Sequence, residues 1–199
     1  MDLLEAHGQA IRAFGDAVHA AGAGDWDHRT PCTKWTVRDL VNHLVAEQLW
    51  APSLLAGATL DDVGDRFDGD VLGDHPAEAW DTAAEAAREA FLDDGVLERA
   101  VHLSHGLVPA REYGWQMTVD AAVHSWDLAT ALSLPSPVTE PLAERLIDVV
   151  RPWVDDWQGL GLFDPPVAVG RGGGPPAPPR AQRARPPPRH TPANPPRSP

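Results

Sequence analysis

Arg111 to Leu134, and within it the run Asp120-Ala121-Ala122-Val123-His124-Ser125-Trp126-Asp127-Leu128, is the stretch on which the reading of this chain turns. Helical spacing sets Asp120 and His124 four residues apart and His124 and Asp127 three apart, so three side chains with lone pairs share one face. That face also carries Tyr113, Met117, Ala121 and Leu128. A carboxylate and an imidazole in an otherwise apolar stripe are costly to bury alone. Each needs a hydrogen bond, a partner on another helix, or a metal ion. His43, beside the inward stripe of an earlier helix, would make a two-histidine, one-carboxylate set with Asp120 and His124. A metal held by three protein groups keeps positions open for water or substrate. Spacing alone leaves the ordinary alternative standing, a hydrogen-bonded carboxylate and histidine.

The flanking chain reads as further helices. Leu3, Leu4, Ile11, Phe14 and Val18 recur at helical steps up to Ala21, and Gly22 and Gly24 close that segment. The polar loop from Asp25 to Trp35 holds Trp26 and Trp35, expected to fold back on the core. Thr36 offers a hydroxyl N-cap with Asp39 at the third helical position, opening a helix from Val37 to Leu55 with Pro52 in its last turn. Gly57 to Asp74, rich in Gly and Asp, reads as a long loop. Pro76 suits the first turn of a helix over Ala77 to Leu92. Val96 to Pro109 is poor for a helix, and Ala100 to His105 suits a short extended segment. A last helix starts at Thr139 and carries Leu142, Leu146, Ile147, Val150, Val154 and Trp157 inward, kinked or split at Pro152. Five helical segments and almost no strand predict an all-α bundle.

Charge narrows the function classes. The chain has 199 residues, with 16 Lys and Arg against 29 Asp and Glu, for a formal charge of -13. Arg171, Arg180, Arg183, Arg185, Arg189 and Arg197 all follow Gly170, where no acidic residue occurs, so the body is more acidic still. Such a body repels phosphate backbones, which excludes nucleic acid as its partner. The single cysteine, Cys32, rules out an internal disulfide and fits a reducing, cytoplasmic location. The N-terminus lacks the basic and apolar pattern of a signal peptide, and no run of about 18 apolar residues suggests a membrane span.

A body over residues 1–168 and a tail over 169–199 are expected. Eleven of the 21 prolines lie after Gly170, mixed with Gly and Arg and without Leu, Ile, Val or Phe. Such a segment buries no core and is expected to be disordered or locally polyproline II. It reads as a basic interaction arm or, preferably, as what GC-rich codons yield when translated out of frame.

Two separated runs carry a resemblance. Pro31-Cys32-Thr33-Lys34-Trp35-Thr36-Val37-Arg38-Asp39-Leu40-Val41-Asn42-His43-Leu44 resembles the P-C-x-x-W-T-V-x-D-L-x-x-H-L run of the actinobacterial mycothiol-dependent maleylpyruvate isomerase and DinB-like superfamily. Val123-His124-Ser125-Trp126-Asp127-Leu128-Ala129 resembles its later V-H-x-W-D-L-A run. Phe163-Asp164-Pro165-Pro166-Val167 is similar to the closing segment of its small single-domain members. The resemblance implies an antiparallel four-helix bundle and a divalent metal, zinc foremost, held by His43, Asp120 and His124. The family's carboxylate is commonly Glu; Asp120 is a methylene shorter, which implies reach through a water or weaker binding. The isomerases proper carry an additional C-terminal domain, and nothing after Gly170 is expected to fold into one.

The chemistry so implied is a thiol-dependent transferase or isomerase, with a mycothiol-type thiol as co-substrate and a small electrophile as the second partner. Glu47, four after His43, is a candidate proton acceptor, and Asp127 a candidate for fixing the His124 ring. Cys32 reads as inert and His102 and His105 as exposed. The competing readings are a non-catalytic metal- or small-molecule-binding protein of the same fold, dimeric or not, and a metal-free helical module.

Overall fold

The computed structural model describes residues 1–152. Val154, Trp157, the Phe163 to Val167 run and the tail lie outside them. Six helices, one 3-10 turn and a two-stranded hairpin make up the described chain, which is mostly helical but not all-α as expected. No helix among the described residues is long and apolar enough to cross a membrane.

Local chemistry sets the helix starts. Asp2 caps α1 (Leu3–Ala20), its side chain accepting from the Glu5 amide at 2.8 Å. Thr36 and Asp39 form a reciprocal capping box at the head of α2 (Val37–Leu55), which satisfies two otherwise orphaned amides. The helix runs on through Pro52 to Leu55. A second capping box, Thr59 with Asp62, starts the short α3 (Leu60–Val63) inside the stretch expected to be all loop. Gly and Asp in that stretch masked one more T-x-x-D start signal. Pro76 opens α4 (Pro76–Leu92), and Thr139 caps α6 (Glu140–Val150).

The hairpin corrects the extended-segment expectation by adding a partner strand. β1 (Ala100–Leu103) pairs antiparallel with β2 (Gly106–Pro109), Val101 opposite Val108, and Gly106 turns the chain at φ +124°. Val101 and Val108 are both buried, while His102 and His105 are exposed. The hairpin leads directly into α5 (Ala110–Ala131), whose first amide donates to the Arg99 carbonyl at 2.8 Å.

Two apolar clusters reveal how the long helices run. Val37, Leu40, Val41 and Leu44 of α2 share one with Trp80, Ala83 and Ala84 of α4 and with Ala121, Ala122 and Leu128 of α5. Ala51, Leu54 and Leu55 share the other with Ala87, Phe91, Tyr113 and Met117. Early α2 and early α4 therefore lie beside late α5, so α2 and α4 run alike and α5 runs against them. α1 runs against α4, with Gly15 at Trp80 and His7 at Arg88. The long connection from Ala56 to His75 is what lets α4 return parallel to α2, where a short loop would impose an antiparallel neighbour. Trp26 and Trp35 fold back on the first cluster, as expected.

Close approach at Gly15 is one point where the packing admits a single residue. A Cβ there would lie 2.8 Å from Nε1 of the buried Trp80, whose ring packs at a tilt against Phe14 with centroids 4.6 Å apart. Gly15→Ala gains about 1 kcal/mol of helix propensity. Overpacking of a closed core costs roughly 1–3 kcal/mol and is expected to win. The urea midpoint should fall; a midpoint at or above that of the wild type would contradict this packing.

His7 sets an acid limit. It is buried against Phe91 with its Nδ1 3.2 Å from Arg88, and burial first, then the Arg88 charge, lowers its pKa to about 3. Unfolded chain takes that proton near 6.5. The unfolded state thus binds more protons between those values, and stability falls as pH drops through that window. His7→Leu should flatten the stability curve there; a curve parallel to the wild type from pH 6.5 to about 3 is the contrary outcome.

Candidate metal centre

His43 stands on α2 and Asp120 and His124 on α5, one turn apart, where these oppositely running helices meet. Asp120 reaches both imidazoles: Oδ2 lies 3.3 Å from His43 Nε2 and Oδ1 lies 3.4 Å from His124 Nε2. The two rings sit edge to face with centroids 5.4 Å apart. One donor atom from each residue falls within 4.8 Å of the others. The shorter aspartate thus spans the gap.

Asp127 closes the far side of His124, with Oδ2 2.9 Å from Nδ1. Asp127 is buried, and its carboxylate fixes the His124 ring through Nδ1, leaving Nε2 directed at Asp120. The same Oδ2 accepts from the Cys32 thiol at 3.3 Å, and Cys32 Sγ lies 3.9 Å from His124 Nδ1. Cys32 thus touches the carboxylate that orients His124, and burial, against the pull of His124, raises the pKa of its thiol. Cys32, His124 and Asp127 make a second group of close donors, sharing His124 with the first. Trp35 was also missed: its ring lies 4.9 Å from His43 and 5.6 Å from His124, covering both. The run from Pro31 to Leu44 held the signal for both residues, because it places them just ahead of the capped helix that carries His43.

The electrostatics suit a cation. Burial alone would lower the His124 pKa, but the carboxylates of Asp120 and Asp127, with the Cys32 sulfur, push it up to about 12. Burial opposes protonation of His43 as well, and Asp120 outweighs it, so that pKa is also raised. Asp120 is held well below the carboxylate range by His43 and His124 against the effect of burial. Its side chain keeps a third of its surface, yet Oδ2 itself is enclosed and lacks a hydrogen bond of good geometry despite lying in ion-pair range of His43. A carboxylate and two imidazoles whose donor atoms converge in this way fit a divalent ion. Glu47 lies one turn past His43. Burial raises its pKa, with His43 opposing.

A divalent cation held here would compete with protons for these donors, so its uptake would release protons. Apparent zinc affinity should weaken as pH falls, and calorimetry in buffers of different ionisation enthalpy should register that release; a pH-independent affinity would contradict it. Asp127→Asn should lower zinc affinity about 10- to 100-fold in a chelator competition, with helicity unchanged.

Comparison with known proteins gives a consistent picture. Residues 7–129 match the family described as the mycothiol maleylpyruvate isomerase N-terminal domain. Two uncharacterised proteins of Mycobacterium tuberculosis, from strains CDC 1551 / Oshkosh and ATCC 25618 / H37Rv, are each 34% identical over 151 residues, covering 73% of this chain and 76% of the relative. No solved structure matches the chain significantly.

Proposed function

The chain belongs to the mycothiol maleylpyruvate isomerase N-terminal domain family, and we propose that it binds a divalent metal, zinc foremost, and transfers or isomerises through a mycothiol-type thiol. The observation that carries this reading is the convergence of the Asp120 carboxylate on the imidazoles of His43 and His124, with an enclosed Oδ2 that meets no hydrogen bond of good geometry. In this reading α1, α2, α4 and α5 are the DinB-like four-helix bundle, working in the cytoplasm on a small electrophile.

His43, Asp120 and His124 hold the ion. When bound, such a cation supplies a lowered thiol pKa, favouring the nucleophilic thiolate. Asp127 fixes the ring tautomer of His124, and Trp35 shields both imidazoles from water. Glu47 takes the proton that the thiol gives up, its raised pKa suiting a group that must later return it. In an isomerase, addition of the thiol to a cis double bond permits rotation before the thiol is expelled; in a transferase the adduct leaves.

Elemental analysis of the purified protein, followed by thiol conjugation assays on wild type and His43→Ala, tests this. About one zinc per chain is expected, and His43→Ala should lose zinc and activity together while keeping its helical spectrum. Zinc in the wild type without any conjugation would favour the non-catalytic reading. Loss of zinc accompanied by unfolding would favour a structural metal.

A further inference from the structure

Below the three donors, the seam between α2 and α5 contains a group that the scheme above leaves unused. α2 and α5 meet along this seam and share both apolar clusters. Tyr113 lies seven residues before Asp120, two turns along the same stripe of α5. Because the helices run oppositely, Glu47 lies between the level of His43 and that of Ala51, which shares the apolar cluster of Tyr113. The phenol ring packs against Phe91 at 5.8 Å. Its hydroxyl is enclosed and has no hydrogen-bond partner among the described residues. A buried hydroxyl without a partner is uncommon in folded proteins and marks a position that a ligand or water completes.

We propose that Tyr113 is a catalytic residue of this seam, its hydroxyl donating a hydrogen bond to the carbonyl oxygen of a conjugated electrophile. This rests on the thiol-transfer reading. Burial, with the charges of Glu47 and Asp120, keeps the phenol protonated and therefore a donor. The same two charges disfavour a carboxylate ligand at that point and favour a neutral carbonyl. As the thiol sulfur bonds to the carbon β to the carbonyl, the C=C pair shifts to an enolate whose negative oxygen accepts from Tyr113. The thiol proton passes to the Glu47 carboxylate. Collapse of the enolate breaks the new C–S bond and expels the thiol, which recovers its proton from Glu47; protonation at the α-carbon by Glu47 instead retains the adduct.

The test compares zinc-loaded wild type with Tyr113→Phe, using mycothiol and two probe electrophiles. N-ethylmaleimide has a carbonyl conjugated to its reacting carbon; benzyl chloride has none. For the maleimide, kcat/KM should fall about 100-fold, the scale of removing one oxyanion donor, while that for benzyl chloride and the zinc affinity stay unchanged. The thermal midpoint of the metal-free variant should hold or rise, since the lost hydroxyl has no partner to abandon. Equal loss on both probes, no loss on either, or a lower midpoint overturns the role of Tyr113 while leaving the thiol-transfer reading intact. A zinc-loaded wild type inert toward both probes overturns both.

Discussion

One carboxylate ties the two halves of this fold together. Asp120 places an oxygen 3.3 Å from an imidazole on α2 and another 3.4 Å from an imidazole on its own helix. Both apolar clusters cross the α2–α5 seam, and the polar group of His43, Asp120 and His124 is set into that seam. Two protonated imidazoles at this separation repel each other unless a negative group lies between them. The position of α2 relative to α5 is therefore coupled to whatever neutralises that pair, here the Asp120 carboxylate.

Much of this was legible from residue order. Asp120 and His124 stood out as an i, i+4 pair on an apolar face, which has few inexpensive fates, Thr36 with Asp39 fixed where α2 begins, and the resemblance of two separated runs joined His43 to the pair. The hairpin was only half legible. Each strand has four residues and one inward valine, too short for a period of two to declare itself, and Gly106 at a positive φ supplies the reversal. α3 hid because a single helical turn between glycines has no periodicity to read. The parallel return of α4 was invisible locally, being a property of a long connection rather than of any helix face.

Cys32 illustrates a different limit. Its thiol meets Asp127 95 residues later in the chain, a contact made by the irregular path of the Asp25 to Trp35 loop. That path is itself held by the Arg29–Thr36 bridge and by Val37 and Arg38 donating back to His28 and Trp26. No periodicity encodes such a path. Once formed, it seats Trp35 over both imidazoles and a weak thiol donor on the carboxylate that orients His124. The loop thus belongs to the site as much as the helices do.

The enclosed polar groups without partners divide by location, and the division bears on why they are tolerated. His7 Nε2 lies on α1, the Gln48 amide on α2 and Arg145 Nε on α6, whereas Asp120 Oδ2 and Tyr113 Oη lie two turns apart on α5. Each unpaired buried group costs about 1–3 kcal/mol, and at Tyr113 phenylalanine fills almost the same volume without that cost. A fold selected for stability alone has no use for that unpaired hydroxyl, whereas the two imidazoles already offset the burial of Asp120. The alignment of Tyr113 and Asp120 with His43 and His124 makes the α2–α5 seam a preorganised polar surface, stabilised by whatever enters to satisfy it and destabilising until then.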